Sequence, residues 1–332
     1  MPSSPTPVPP EGVTVRSASW EDLDAVTELL AAASQARIGA VTVRREDLRL
    51  RWLGLDSLDA VVLLEDPASP QRLVAFSAED ILDDPDSGTV ELHVEGQVHP
   101  AHTGRGAASY LLDRAAADAH AAATALDRDE VTLRTTLVDG DEGARSFFEH
   151  RGFSCVRYLL ELRLDLHARP PAPIWPGRVD VRLFDPERDV DLAWQAHQAA
   201  FADVPTHLPL TLEDFRTSRL SGSAAIDPSL SLLAEEDGEV VGLALCRAGA
   251  PGASEDGWIR DFGVVPAHRR RGVGMALLRA TFGRFRAHDL SGVALEVDDV
   301  TLDGAVALYR RAGMRIVHRT DVLERSLPVR GG

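Results

Sequence analysis

The chain contains no lysine and no asparagine, so all 35 residues of the Lys/Arg class are arginine. Any motif that elsewhere uses Lys or Asn must therefore appear here in altered form. No apolar run reaches the roughly eighteen residues that a membrane-spanning helix needs, which argues against a membrane partner. Met1–Pro10 holds neither a basic cluster nor an apolar core, so it does not read as a secretory leader, and residues 1–12 are expected to form a loose Pro/Ser tail. Basic charge is short overall: 52 Asp and Glu against 35 Arg leave a net charge of −17. Such a balance disfavours nucleic acid and suits a small cationic or amine-bearing molecule better. Cysteine is scarce too. Cys155 and Cys246 both lie in apolar stretches, which predicts two reduced core thiols of a cytoplasmic protein rather than a disulfide. No metal is expected.

What is present is an internal repeat, in a chain of 332 residues that is long enough for two domains. Val13-Thr-Val-Arg16 and a helical run from Asp22 recur as Val179-Asp-Val-Arg182 and a helical run from Asp189, at an offset of 166 residues. His99-Pro-Ala-His102 with Arg105-Gly106 matches Val265-Pro-Ala-His268 with Arg271-Gly272 at the same offset. Ala144-Arg-Ser-Phe-Phe148 with Gly152-Phe153 matches Ala305-Val-Ala-Leu-Tyr309 with Gly313-Met314 at an offset of 161. Residues 167–177 carry four prolines in eleven positions, which reads as a semi-rigid linker. The expected domains are therefore 13–166 and 178–328, each a mixed α/β unit.

The second repeat predicts strands at 179–183, 230–235, 240–247, 258–265, 292–298 and 314–323. Helices are expected at 189–201, 211–219, 273–288 and 303–312. Thr211 with Asp214 marks a helix start, and Glu236-Asp-Gly238 marks a hairpin turn. In the first repeat Leu160, Leu162, Leu164 and Leu166 alternate along one face of the final strand. Between a strand and a helix stands Arg269-Arg-Arg-Gly-Val-Gly274. Unpartnered N–H groups at a helix start, with glycines that admit close approach, form a phosphate cradle.

Together with Leu295-Glu-Val-Asp298 and the Ala305…Tyr309…Gly313 pattern, this loop resembles the GCN5-related N-acetyltransferase (GNAT) superfamily, across the second repeat and more weakly across the first. The resemblance implies two tandem domains, each a mostly antiparallel twisted sheet flanked by helices, and acetyl-CoA as cosubstrate. It implies that Phe262, Gly263 and Val264 bind the pantetheine arm. The pyrophosphate would lie on Arg269, Arg270, Arg271, Gly272, Val273, Gly274 and Met275. Thr301 or Asp303 stands where many members place a cofactor-contacting Asn. Tyr309 would protonate the departing thiolate, and the L-E-V segment, similar to that of the ribosomal-protein alanine acetyltransferases, nominates Glu296 as the base. Asp261, Glu255, Asp256 or a water chain past Trp258 remain rivals for that role, while Tyr309 and Glu296 could also be a core aromatic and a solvated strand residue. The amine acceptor is expected over residues 201–209, with Asp203 and His207 as candidate contacts.

In the first repeat Thr103 replaces the leading arginine, Ala108 the last glycine and Phe148 the tyrosine, so that domain is expected to be non-catalytic. The favoured reading is an N-acetyltransferase for a small-molecule primary amine, monomeric or homodimeric. A mycothiol-synthase-like enzyme, similar in tandem architecture, and a non-catalytic acyl-CoA sensor are the alternatives.

Overall fold

The structure, a computed structural model, describes residues 7–38, 43–84, 89–204, 207, 209–222, 225–250, 253–298 and 302–329. In chain order the strands are β1 (Thr14–Ser17), β2 (Val61–Glu65), β3 (Leu73–Asp84), β4 (Thr89–Val98), β5 (Glu130–Val138), β6 (Ser154–Asp165), β7 (Asp180–Leu183), β8 (Leu232–Glu236), β9 (Glu239–Ala250), β10 (Ala253–Val264), β11 (Gly292–Asp298) and β12 (Arg315–Pro328). The helices are α1 (Leu23–Ile38), α2 (Arg45–Leu53), α3 (Ala107–Ala125), α4 (Glu142–His150), α5 (Val190–Phe201), α6 (Leu212–Leu220), α7 (Val273–Ala287) and α8 (Leu302–Arg311).

The chain divides into two compact units: Met1–Val156 with Thr320–Gly332, and Arg157–Arg319. Both follow one plan. In unit 1, β1 to β4 run antiparallel in order, β4 pairs β5 in parallel, and β5 pairs β12 antiparallel. In unit 2, β7 to β10 run antiparallel, β10 pairs β11 in parallel, and β11 pairs β6 antiparallel. The parallel pairs are possible because α3 and α7 supply the long crossovers that such pairs require.

These units differ from the repeat boundaries of 13–166 and 178–328. Each repeat gives its last strand to the other unit: residues 157–165 of β6 belong with β11, and residues 320–328 of β12 with β5. Alternation in a strand specifies which face is buried but leaves the partner open, so two last strands of one pattern can be traded. Accordingly Leu160, Leu162 and Leu166 lie in the core of unit 2, beside Val293 and Leu295.

Local chemistry accounts for several element ends. Thr211 caps α6 by accepting from the Asp214 N–H at 3.1 Å. Asp237 and Gly238, at φ 53° and 87°, make the tight turn between β8 and β9. One face of α7, including Leu278, Phe282 and Phe285, is fully buried. The thiol expectation needs correcting: Cys246 is buried, but Cys155 is exposed. Cys155 sits on the opposite parity to Leu160 and Leu162, so the pleat turns it away from the core. Among the described residues, no helix is long and apolar enough to cross a membrane.

Candidate active site

The loop before α7 has the shape a phosphate requires. Gly272 is the N-cap in the left-handed region, at φ 98°, and Arg270 is left-handed as well, at φ 60°. The first-turn amides of α7 point outward with no intrahelical acceptor. Among the described residues a Cβ at Gly272 would meet nothing within 4 Å, so an anion can approach the main chain there. Gly274 has a different reason: its Cβ would press to 3.3 Å from the Leu308 side chain and 3.6 Å from Val264. The helix start is thereby packed against both β10 and α8.

Two of the loop's three arginines are already engaged. Arg269 donates to the carbonyls of Val264 and Ala200, at 2.9 and 2.7 Å, and pairs with Asp203 at 2.5 Å. It therefore ties the loop to the end of α5. Asp203, expected at the acceptor, is half-exposed and held by Arg269, whose guanidinium lowers its pKa. Arg271 donates to both carboxylate oxygens of Glu236, at 2.9 and 2.7 Å, and is exposed. Arg270 is exposed, Val273 is buried, and Met275 is half-buried. Thr301 lies outside the described residues.

Behind the loop, β10 and β11 pair over Asp256–Trp258 and Gly292–Ala294 and, among the described residues, nowhere else. Past that point β10 keeps its partner on the other side, with Phe262, Gly263 and Val264 opposite Ala244, Leu243 and Gly242 of β9. Its β11-facing main chain is thus left free of strand pairing. Gly263 suits a crowded place, since a Cβ would come within 2.8 Å of Ala200. The structure brings Tyr309 to this wedge: its ring meets that of Phe262 edge-on, with centroids 6.0 Å apart. Tyr309 is 6% exposed, and burial raises its pKa, so the hydroxyl keeps its proton at neutral pH.

Glu296 is two residues beyond the last paired position. Leu295 faces the same core as Tyr309, so Glu296 points to the opposite face of the sheet. Its side chain keeps solvent exposure. Even so, the surrounding protein raises its pKa, with Glu161 and Asp298 adding repulsion and Arg157 opposing it. Directly across the ladder stands Glu161 of β6, whose pKa burial also raises. Sequence reasoning missed Glu161, because nothing in a linear pattern announces that the first repeat's last strand borders the second repeat's site. The one available signal was parity, which sets Glu161 opposite to Leu160 and Leu162.

The rival bases sit elsewhere. Asp261 is buried; burial alone would raise its pKa, but the hydrogen bond from His197 and the Arg219 guanidinium outweigh that and lower it. Arg219 reaches it at 2.8 and 3.0 Å, and His197 Nε2 lies 3.3 Å away. Asp256 is buried and accepts from Arg163 at 3.1 Å, while Glu255 is exposed. His207 lines a cavity of about 420 Å³ with His197, Phe201, Asp214, Arg219 and Asp261. Its Nε2 is 3.3 Å from the Gln198 side-chain oxygen, and burial, with His197 second, lowers its pKa. His207 and Asp203 thus have different partners, and Asp203 is not among the described residues that line this cavity.

Unit 1 keeps the backbone and changes the chemistry. Gly104 and Gly106 take the left-handed conformations of Arg270 and Gly272, at φ 75° and 89°. Here, however, Pro10 of the amino-terminal segment lies 3.7 Å from where a Gly106 Cβ would stand. The strands β4 and β5 also part early, pairing over Val90–His93 and Val131–Arg134. Aligning the buried residues Val131 and Leu133 with Val293 and Leu295 sets Arg134 at the place of Glu296. Arg134 donates to Glu324 at 2.6 Å and to Glu91 at 2.9 Å, with His93 at 3.2 Å. Phe148, in the place of Tyr309, packs against Phe147 and Phe153.

Comparison with known proteins agrees with this geometry. Residues 191–314 match the model of the acetyltransferase (GNAT) family. The mycothiol acetyltransferase of Thermobispora bispora is 31% identical, over 88% of this chain and 92% of that protein. That of Streptomyces coelicolor is 30% identical, over 94% of both. Among solved structures, a GCN5-related N-acetyltransferase from Sphaerobacter thermophilus superposes with a TM-score of 0.82, at 29% identity and 98% coverage of both chains. A tandem GNAT protein from the clavulanic acid biosynthesis pathway shares the fold, with a TM-score of 0.69 at 17% identity, over 96% of this chain and 99% of that one. GNAT acetyltransferases use acetyl-CoA, and this chain belongs to that family in its tandem form, an acetyl-CoA-dependent N-acetyltransferase acting on an amine.

Proposed function

We propose that the chain acetylates the amine of des-acetyl mycothiol, and that unit 2 carries the reaction while unit 1 does not. The acceptor rests on the relatives named mycothiol acetyltransferase, which match the chain across both repeats. The choice of unit rests on one contrast. At the parting of the parallel strands unit 2 carries Glu296, and at the matching place unit 1 carries Arg134, bound to Glu91 and Glu324.

The cosubstrate supplies an activated acetyl thioester. The open space over Gly272 and the unpaired edge of Phe262–Val264 fit a diphosphate followed by an amide-bearing arm. In this reading the amides of Arg270 to Met275 bind the diphosphate, and the main chain of Phe262–Val264 orients the arm. The Val264 N–H faces the developing oxyanion. Glu296 takes the proton of the incoming ammonium, and Tyr309, from the other face of the sheet, gives a proton to the leaving sulfur. Acid and base on opposite sides of the carbonyl are what aminolysis of a thioester requires.

The test is an acceptor panel. Full-length protein, acetyl-CoA and a set of primary amines including des-acetyl mycothiol are incubated, and acetylated products are followed by mass spectrometry. The proposal expects kcat/KM at least about tenfold higher for des-acetyl mycothiol than for the other amines, roughly 1.4 kcal/mol of discrimination. Faster transfer to another amine would remove the acceptor assignment. Glu296→Gln should abolish the acid limb of the pH–rate profile; an unchanged limb would move the base to a water chain.

A further inference from the structure

We propose that Glu161, delivered by the first repeat's last strand, is a positioning residue for the acetyl transfer in unit 2: facing Glu296 across the strand ladder, it completes a two-carboxylate seat for the acceptor's ammonium and holds Glu296 in the basic state that deprotonates it. The inference rests on the reading of Glu296 as the base.

The geometry begins with register. Glu296 and Glu161 are direct antiparallel partners, flanked by Val297 opposite Leu160 and Leu295 opposite Leu162. Because the leucines and Leu295 face the core, both glutamates point to the same, opposite face. Directly opposed side chains stand about 5 Å apart at Cβ, where like charges repel. Among the described residues neither carboxylate has a hydrogen-bond or ion-pair partner, although cations are close by. Arg157 is bonded to Asp298, and Arg163 to Asp256 and Asp165. The other groups that act on the pair are His318, which lowers the pKa of Glu161, and Asp256, which raises it. Desolvation by the surrounding protein is the largest cause of the upward shift in both glutamates, in Glu296 even though its side chain keeps contact with solvent.

Such an arrangement is costly for folding alone, because two like charges face each other and the nearby cations Arg157, Arg163 and His318 offset the repulsion only in part, the pKa of both glutamates staying raised. A primary ammonium resolves it by donating to both carboxylates. When one proton then leaves nitrogen for Glu296, the amine becomes the nucleophile, and the remaining negative charge on Glu161 keeps Glu296 basic enough to accept it. Unit 1 has the opposite solution at the matching place: Arg134 faces Glu324 directly and pairs with it. There the charges cancel internally, and no cation is invited. The trade of last strands thereby acquires a function, since the second repeat's site is incomplete without a residue of the first.

The experiment compares Glu161→Gln, Glu161→Asp and Glu296→Gln in the full chain, reading kcat, KM and the pH profile with the best amine. Glu161→Gln removes a like charge, so the pKa of Glu296 should fall and the acid limb of kcat/KM should move to lower pH. KM for the amine should rise about tenfold, while KM for acetyl-CoA stays put. Glu161→Asp keeps the charge and should retain the wild-type limb. A structural role would give the reverse order, with the isosteric Gln tolerated and the shorter Asp impaired, and would overturn the proposal. So would an unmoved limb and unmoved amine KM in Glu161→Gln while Glu296→Gln loses its limb. Should Glu161→Gln fail to fold, Glu161→Ser makes the same comparison against Glu161→Asp. If Glu296→Gln itself keeps the wild-type profile, the base reading fails first and separately.

Discussion

The two units share a loop shape and a strand plan, yet in the proposed reading one receives a ligand and the other closes on itself. Both loops adopt two left-handed residues before a helix, and both parallel pairs part after three or four residues. The differences lie in what fills the space. In unit 1 Pro10 leans over the loop, Arg134 is locked by Glu91 and Glu324, and Phe148 offers no proton. In unit 2 the space over Gly272 is open, two carboxylates face each other, and Tyr309 reaches Phe262. Backbone shape is therefore preserved by packing, while function follows a handful of side chains.

The most severe test of this contrast is a cut between the repeats. A fragment of residues 178–328 lacks β6, whose residues 159–165 pair with the whole of β11 and whose leucines fill the core beside Val293 and Leu295. It should show no cooperative thermal transition and no activity, judged by circular dichroism and the acetylation assay. If it folds and acetylates, the last strands need not be traded.

Next in size is Tyr309→Phe, which should lower kcat about 10²-fold with acetyl-CoA affinity unchanged if the hydroxyl is the acid. The reciprocal Phe148→Tyr should add nothing, because unit 1 has neither an open loop nor a free carboxylate at the matching place. An unaltered kcat in Tyr309→Phe reduces that side chain to its core contact with Phe262.

Unit 1 carries an upward-shifted acid of its own, away from the matching place. Glu79 on β3 is 8% exposed, with one carboxylate oxygen buried and unbonded among the described residues, and its pKa is raised to about 7 by burial, with Asp118 adding repulsion and Arg114 opposing it. An acid whose folded pKa exceeds its unfolded value holds a proton that the unfolded chain has already released. Stability should therefore fall as pH rises from about 4.5 to about 7, by no more than about 3 kcal/mol, and stay low above that. Glu79→Gln should flatten this dependence, raising Tm at pH 8 relative to wild type while changing little at pH 4.5. An identical slope in the mutant would assign the titration to another group.

How much of this was legible in the sequence can be argued residue by residue. The repeat, the helix at 273–287 and the turn at Asp237-Gly238 were visible because spacing and turn chemistry are local. So was the loop, since glycine spacing at a helix start carries its own mechanism. The trading of last strands was not visible, because alternation at Leu160, Leu162, Leu164 and Leu166 names a face and not a partner. Glu161 was hidden for the same reason. Asp203 was read as an acceptor contact because its non-local partner, Arg269, lies 66 residues further on. Arg134 was equally silent until its three neighbours were assembled around it.

The mildest change is expected at Arg271 and its counterpart Arg105, and it tests the phosphate loops directly. Arg271 donates to both oxygens of Glu236, and this pairing lowers the carboxylate's pKa. A diphosphate must therefore compete with a carboxylate that already occupies the guanidinium, so the net gain from this exposed side chain is small. In the proposed reading most of the binding comes from the main chain of the helix start, which no side-chain substitution at 271 removes. Arg271→Ala should thus weaken acetyl-CoA by only about fivefold, as expected of an exposed charge contact. Arg105→Ala should leave affinity within about twofold. Glu236→Gln releases Arg271 and should tighten binding slightly, and the gain should vanish in the double mutant Glu236→Gln/Arg271→Ala. Titration calorimetry should find one tight site per chain throughout. Two sites of equal affinity, or Arg105→Ala weakening binding as much as Arg271→Ala, would show that Pro10 and Ala108 leave the first loop open and that the units differ in chemistry alone.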